Sequence, residues 1–183
     1  MTVMLDGERK KLIIRTSIIG FVFVGTVVVI IPLYLSSINY EKLSFELGII
    51  RYSGFIPLII GAYISLYCVK DFIIQGKGTP APFDPPKELV VKGFYKYLRN
   101  PMYFGLFLFI LGEVLIFSSI EILIYLLLLT IICNLFVIFY EEPKLLNEFG
   151  DSYKNYCKEV SRWIPSMKKR NKRRSSNQRL NTD

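Results

Sequence analysis

"RNPMYFGLFLFILGEVLIFSSIEILIYLLLLTIICNLFVIFYEEP", residues 99–143, contains two apolar runs, Pro101 to Ser119 and Ile122 to Tyr140, joined by the short "SSIE". So short a connection predicts an antiparallel helical hairpin. Each run approaches the ~20 residues that a helix needs to cross a bilayer core. The polar residues sit at the open ends: Arg99 and Asn100 before the first run, Glu141 and Glu142 after the second. Folding the chain about residues 119–121 brings those ends together at one membrane surface.

Outward from the hairpin, Thr16 to Tyr40 carries no charge, and "YSGFIPLIIGAYISLYCV" (52–69) is a second apolar run, softened by Gly54, Pro57 and Gly61. The expected architecture is an all-α membrane protein with about four transmembrane helices, near 16–35, 52–69, 101–119 and 122–140. A C-terminal hairpin, a cytosolic loop and an amphipathic C-terminal helix complete a single domain over residues 1–165. "GERKK" resembles a signal-peptide n-region, but the apolar run behind it is too long for an h-region. No A-x-A-like site follows, so a retained first helix is expected. Pro80, Pro82, Pro85 and Pro86 exclude a continuous helix through the middle of the 70–100 loop.

Composition agrees with a membrane protein: 52% of the 183 residues are hydrophobic and only 21% charged, at a mean hydropathy of +0.39. Six of the eight net positive charges belong to residues 166–183, where Lys168, Lys169, Arg170, Lys172, Arg173, Arg174 and Arg179 stand against Asp183. The high pI therefore describes a disordered basic tail, not a nucleic-acid-binding fold. That tail helps set topology, and residues 168–179 also suit an anionic leaflet. Basic residues flank the first helix and fill the 70–100 loop, whereas the 118–121 turn has none. Both termini are thus expected on the cytoplasmic side. No obligate protein partner is evident.

The chain has no histidine, which excludes a Ser-His-Asp triad, a Cys-His pair and a histidine metal site. Cys68, Cys133 and Cys157 form no C-x-x-C pair, so neither a disulfide framework nor a zinc site is supported. Asn100-Pro101 is a strong helix start by itself, with Asn as N-cap and Pro at the first position. The carboxylates of "YEEP" (140–143) are harder to explain, because acidic groups are disfavoured at a helix C-terminus. Glu141 or Glu142 either pairs with Arg99 or Lys96, or forms half of a binding site. Carboxylates, the aromatic rings of Tyr95 and Tyr103 and the free N–H groups of a helix start suit a zwitterionic or cationic ligand. Gly76 and Gly78 offer close backbone approach, though a lone G-x-G is a weak signal.

Two segments carry a family resemblance: "LVVKGFYKYLRNPMYFG" (89–105) and "EEPKLLNEFGDSYKNYCKEVSRWIP" (141–165). Their motifs and order resemble the isoprenylcysteine carboxyl methyltransferase family and its phospholipid methyltransferase relatives. The resemblance covers about the C-terminal half of the chain. It implies an S-adenosylmethionine site built on the hairpin, with contacts from Leu89, Val90, Tyr95, Asn100, Pro101, Met102, Tyr103 and Glu141. Glu142, Gly76 and Gly78 are further cofactor candidates by the same similarity. The acceptor would be lipophilic and enter from the bilayer, with Arg99 and position 137 beside it. Two departures stand out. Eukaryotic members have His at the position of Asn100, where an amide still hydrogen-bonds. They also place an Arg, for the acceptor carboxylate, where this chain has Val137.

The implied reaction is O-methylation of an isoprenylcysteine-type carboxylate, with phosphatidylethanolamine-type N-methylation as the alternative. A carboxylate acceptor needs no base; an amine would need one, and Glu142 is the candidate. No catalytic residue is otherwise assigned. A nicotinamide-dependent membrane reductase and a non-enzymatic transporter are the remaining alternatives. Glu113, inside the third helix, is expected to pair with Arg51 or to meet a lipid headgroup. Tyr153, Tyr156 and Val160 recur at helical spacing, with Trp163 beyond them. Membrane anchoring is their expected role, and covering the site is the other.

Overall fold

The computed structural model describes residues 22, 24–38, 47–75 and 89–165. All its regular elements are helical. The first helix, α1, already helical at residues 24–25, passes through a π turn, Thr26–Ile30, and continues as Ile31–Ile38. A 3₁₀ segment, Gly48–Gly54, leads into α2, Phe55–Gln75. A short 3₁₀ turn, Gly93–Lys96, precedes the hairpin helices α3, Pro101–Phe117, and α4, Ile120–Phe136. A second π turn, Val137–Glu141, then passes directly into α5, Glu142–Glu159. Two helical stretches, Gly48–Asp71 and Ile120–Glu159, are long and apolar enough to cross a membrane; α1 and α3 are shorter apolar helices. The first helix's expected start, the proline-rich part of the loop and the basic tail lie outside the described residues.

The hairpin turn forms as its sequence suggests. Ser118 takes a left-handed conformation (φ 49°), ending α3, and the Ser119 hydroxyl accepts from the Ile122 N–H at 3.3 Å as the N-cap of α4. The far end of α4 departs from expectation. "YEEP" does not close the helix, which continues to Glu159. Pro143 is the cause: it lacks an N–H, and its ring would clash with the carbonyl four residues back in a regular helix. The widened turn just before it carries the Glu142 N–H to the Val137 carbonyl instead. The same arrangement recurs in α1, where the π turn Thr26–Ile30 ends two residues before Pro32.

Gly54 and Gly61, expected to soften the second helix, have a different role. They face Gly112 and Gly105 of α3, so two glycine pairs seven residues apart bring the antiparallel backbones into direct contact. A Cβ on either Gly54 or Gly112 would lie 2.6 Å from the other's carbonyl oxygen. Such close approach raises dispersion contact where lipid offers no hydrophobic drive. The helix α2 also runs past Val69, because nothing in "KDFIIQ" (70–75) breaks it.

Two apolar cores result. Val28, Ile110, Val114, Ile122 and Leu126 join α1, α3 and α4. Ile64, Cys68, Val90 and Tyr95 fix the loop to α2, with Met102 and Phe104 of α3 packed against them. This second core holds the segment that leads into Arg99 and Asn100.

Glu113 is buried, only 4% exposed. Arg51 does not meet it: the guanidinium donates to the Tyr52 hydroxyl at 3.0 Å and lies over that ring.

Candidate functional site

The hairpin does bring its polar ends together. The Tyr103 hydroxyl, one turn into α3, donates to Glu141 Oε1 at 2.6 Å. That length is typical of an O–H donor on an ionised carboxylate. Glu142, the next residue, accepts from a second direction. Arg162 donates through Nε and Nη2 at 2.7 and 2.9 Å, and Arg99 Nη1 lies 3.0 Å from Oε1. The two adjacent carboxylates are thus divided, one to a phenol and one to two guanidiniums. The hydrogen bonds it donates to Glu142 also raise the Arg162 pKa above its ordinary value, so that side chain remains charged.

Adjacent helical positions project about 100° apart, which separates the two side chains, and the π turn sets where both point. Its extra residue rotates everything beyond it by about a third of a turn relative to a regular helix. After that rotation Gly150, at φ 52° and ψ −127°, kinks α5. Its C-terminal half then turns back onto the loop. The Tyr156 hydroxyl donates to the Tyr95 carbonyl at 2.7 Å, and Tyr153 and Val160 are buried. Arg99 Nη1 also donates to Cys157 Sγ at 2.9 Å. The Tyr156 hydroxyl therefore faces the loop, and Tyr153 and Val160 pack inside the protein instead of presenting an apolar face to a membrane.

Asn100 occupies the N-cap position of α3, but its side chain makes no capping bond. Its Nδ2 is buried without a hydrogen-bond partner. An amide donor left in that condition costs ~1–3 kcal/mol. Pro101 is fully buried at the first position of α3, where its missing N–H matters least.

The other expected residues divide into packed and exposed groups. Val90 and Tyr95 are buried against Ile64 and Cys68; burial pushes the Tyr95 hydroxyl well above its ordinary pKa. Leu89 and Met102 are half-buried. Val137, in the π turn, is 1% exposed. Gly76 and Gly78 lie outside the described residues. An apolar cleft of about 240 Å³ adjoins the same end of the hairpin, lined by Ile64, Phe94, Tyr97, Leu98, Pro101, Phe104 and Pro165.

Two residues enter the site unannounced by any motif. Arg162 lies 20 residues beyond Glu142, and no local pattern reveals that pairing. Asn134 accepts the Trp163 indole N–H at 2.9 Å. An amide within an apolar helix is the signal that singles it out.

Residues 49–152 match the phospholipid methyltransferase family model. The chain belongs to that family. It is also 37% identical over 78 residues to the protein-S-isoprenylcysteine O-methyltransferase of Schizosaccharomyces pombe. That alignment covers 42% of this chain and 33% of the yeast protein, so the chain spans about a third of that relative's length. The family region includes Tyr103, Glu141 and Glu142 but ends before Arg162 and Trp163.

Proposed function

We propose that the protein is an integral-membrane methyltransferase that takes S-adenosylmethionine as donor and methylates a lipophilic acceptor. The observation that carries this reading is the Tyr103–Glu141 hydrogen bond across the open end of the hairpin, beside the unpartnered amide of Asn100. A donor with an amino-acid end needs a carboxylate for its ammonium group and N–H donors for its own carboxylate. Glu141 supplies the first; the Asn100 amide and the N–H groups of the first turn of α3 supply the second. These residues fit the group. Leu89, Val90, Tyr95, Pro101 and Met102 shape the wall, and Gly76 and Gly78 are proposed contacts from the loop.

Bound there, S-adenosylmethionine supplies an activated methyl on a sulfonium. The protein's task is then to align donor and acceptor and to exclude water. The aromatic face of Tyr103 favours a nearby cation, and the apolar packing around Val137 keeps the reacting region dry.

We favour a carboxylate acceptor of the isoprenylcysteine type, in keeping with the yeast relative's name. Both oxygens of Glu142 are taken by guanidiniums, which leaves it no free position beside an acceptor amine, while an O-methylation needs no base. Arg99 remains the candidate on the acceptor side, since Val137 offers no charge. The family's phospholipid name keeps N-methylation as the second reading, in which Glu141 would have to act as the base. Both readings place four helices in the bilayer with both termini cytoplasmic.

Calorimetric titration of the purified full-length protein with S-adenosylmethionine tests the donor, with NADPH as a separate arm. Saturable binding of the methyl donor alone is expected; binding of NADPH alone would replace this reading with a reductase. Labelled donor offered with a prenylcysteine or with phosphatidylethanolamine vesicles then separates the two acceptors.

A further inference from the structure

Ser161, Arg162 and Trp163 are consecutive, yet they touch three parts of the site. Leu98 and Ser161 form a parallel bridge, and the Ser161 carbonyl accepts from the Arg99 N–H at 2.9 Å. Arg162 takes both oxygens of Glu142, at 2.7 and 2.9 Å. Trp163 donates to Asn134 of α4 and stands edge-on to Tyr103 of α3, with ring centroids 6.5 Å apart. Its ring also packs on Phe107, at 5.8 Å.

The segment is therefore a strap across the open end of the hairpin, fastened to both arms. Its two large side chains each contact a neighbour or a member of the Tyr103–Glu141 pair. Arg162 holds the carboxylate next to Glu141, and Trp163 packs on the ring of Tyr103 itself. A tail that only docked on the surface would need neither a bidentate fork nor an indole inserted between the helices.

We infer that Arg162 and Trp163 are positioning residues of the donor pocket, and that the strap keeps Tyr103 and Glu141 in the geometry that receives the ligand. This rests on the methyl-donor reading above. The two side chains act through Glu142 and Tyr103, so their loss weakens binding without removing a group that touches the donor.

The protein has one tryptophan, so its fluorescence reports the strap directly. The test uses full-length wild type, Arg162→Ala, Arg162→Lys and Trp163→Phe. S-adenosylmethionine affinity is read by calorimetry for all four, and emission and acrylamide quenching for those that retain the indole. Addition of the donor to wild type should change Trp163 emission with the calorimetric Kd. Arg162→Ala should expose the indole to quencher and raise the donor Kd about tenfold or more, the equivalent of ~1.4 kcal/mol, at unchanged helical circular dichroism. Arg162→Lys, which keeps the charge without the fork, should fall between the two. Trp163→Phe gives a second route if Arg162→Ala fails to fold, and should weaken binding several-fold with the Arg162–Glu142 pair intact. Variants that bind the donor as tightly as wild type, whatever their emission, overturn the strap inference alone. A wild type that binds no donor removes the methyl-donor reading and this inference with it.

Discussion

The adjacent residues Glu141 and Glu142 have the same side chain and opposite surroundings. One receives a phenol hydroxyl from α3, and the other receives two guanidiniums, one from beyond α5. Their surroundings therefore diverge: two guanidiniums hold Glu142 in place, whereas Glu141, in the proposed function, receives the ligand ammonium. Tyr103→Phe and Glu141→Gln should each weaken S-adenosylmethionine binding at least about tenfold, read by calorimetry, because each removes a charge-assisted contact. Glu113→Gln, far along α3 and outside the site, should leave the donor Kd at its wild-type value. Equal loss in all three variants would move the site elsewhere or indicate a common folding defect.

At the scale of elements, the site depends on two backbone devices. The glycine pairs 54/112 and 61/105 let α2 and α3 touch, and a side chain added at Gly105 would meet Ser65 Oγ at 2.5 Å and the Gly61 carbonyl at 2.9 Å. Gly105→Leu should force the helices apart and cost ~1–3 kcal/mol or more, seen as a lower midpoint in thermal unfolding. Pro143 is the second device. With Ala there, a regular α turn becomes possible and the wide turn loses its cause. Pro143→Ala should keep or raise thermal stability while donor binding falls, since Glu141 then points away from Tyr103. A variant that binds normally would show that the π turn is fixed by tertiary packing instead.

At the scale of the whole molecule, the proposed topology puts the 118–119 turn and the α5 surface on opposite sides of the membrane. With Cys133 and Cys157 replaced by Ser, a cysteine at the exposed Phe117 should react with an impermeant thiol reagent from outside. A cysteine at the exposed Lys154 should react only after permeabilisation. The reverse pattern, or labelling of both from one side, would overturn the four-span arrangement.

The helical class, the hairpin and the meeting of its polar ends were legible in the chain. Those features rest on local chemistry: apolar run length, a short turn, and polar residues where the apolar runs stop. The Arg99–Glu142 ion pair was among the expected pairings, but the other partners were not legible. Arg162 meets Glu142 across 20 residues, and Tyr103 meets Glu141 across 38, so neither pair is set by local sequence. Asn100 illustrates the difference well: its sequence context marks a helix cap, while its folded side chain makes no such bond and keeps a buried donor unpaired. The amino-acid sequence by itself determined that this protein has a membrane hairpin with a polar end, because spanning length and turn chemistry are properties of contiguous residues. Which carboxylate meets the phenol and which the guanidiniums, and that residues 161–163 cross the end of the hairpin, only the tertiary structure decided, because those depend on the rotation at one wide turn and on contacts between distant segments.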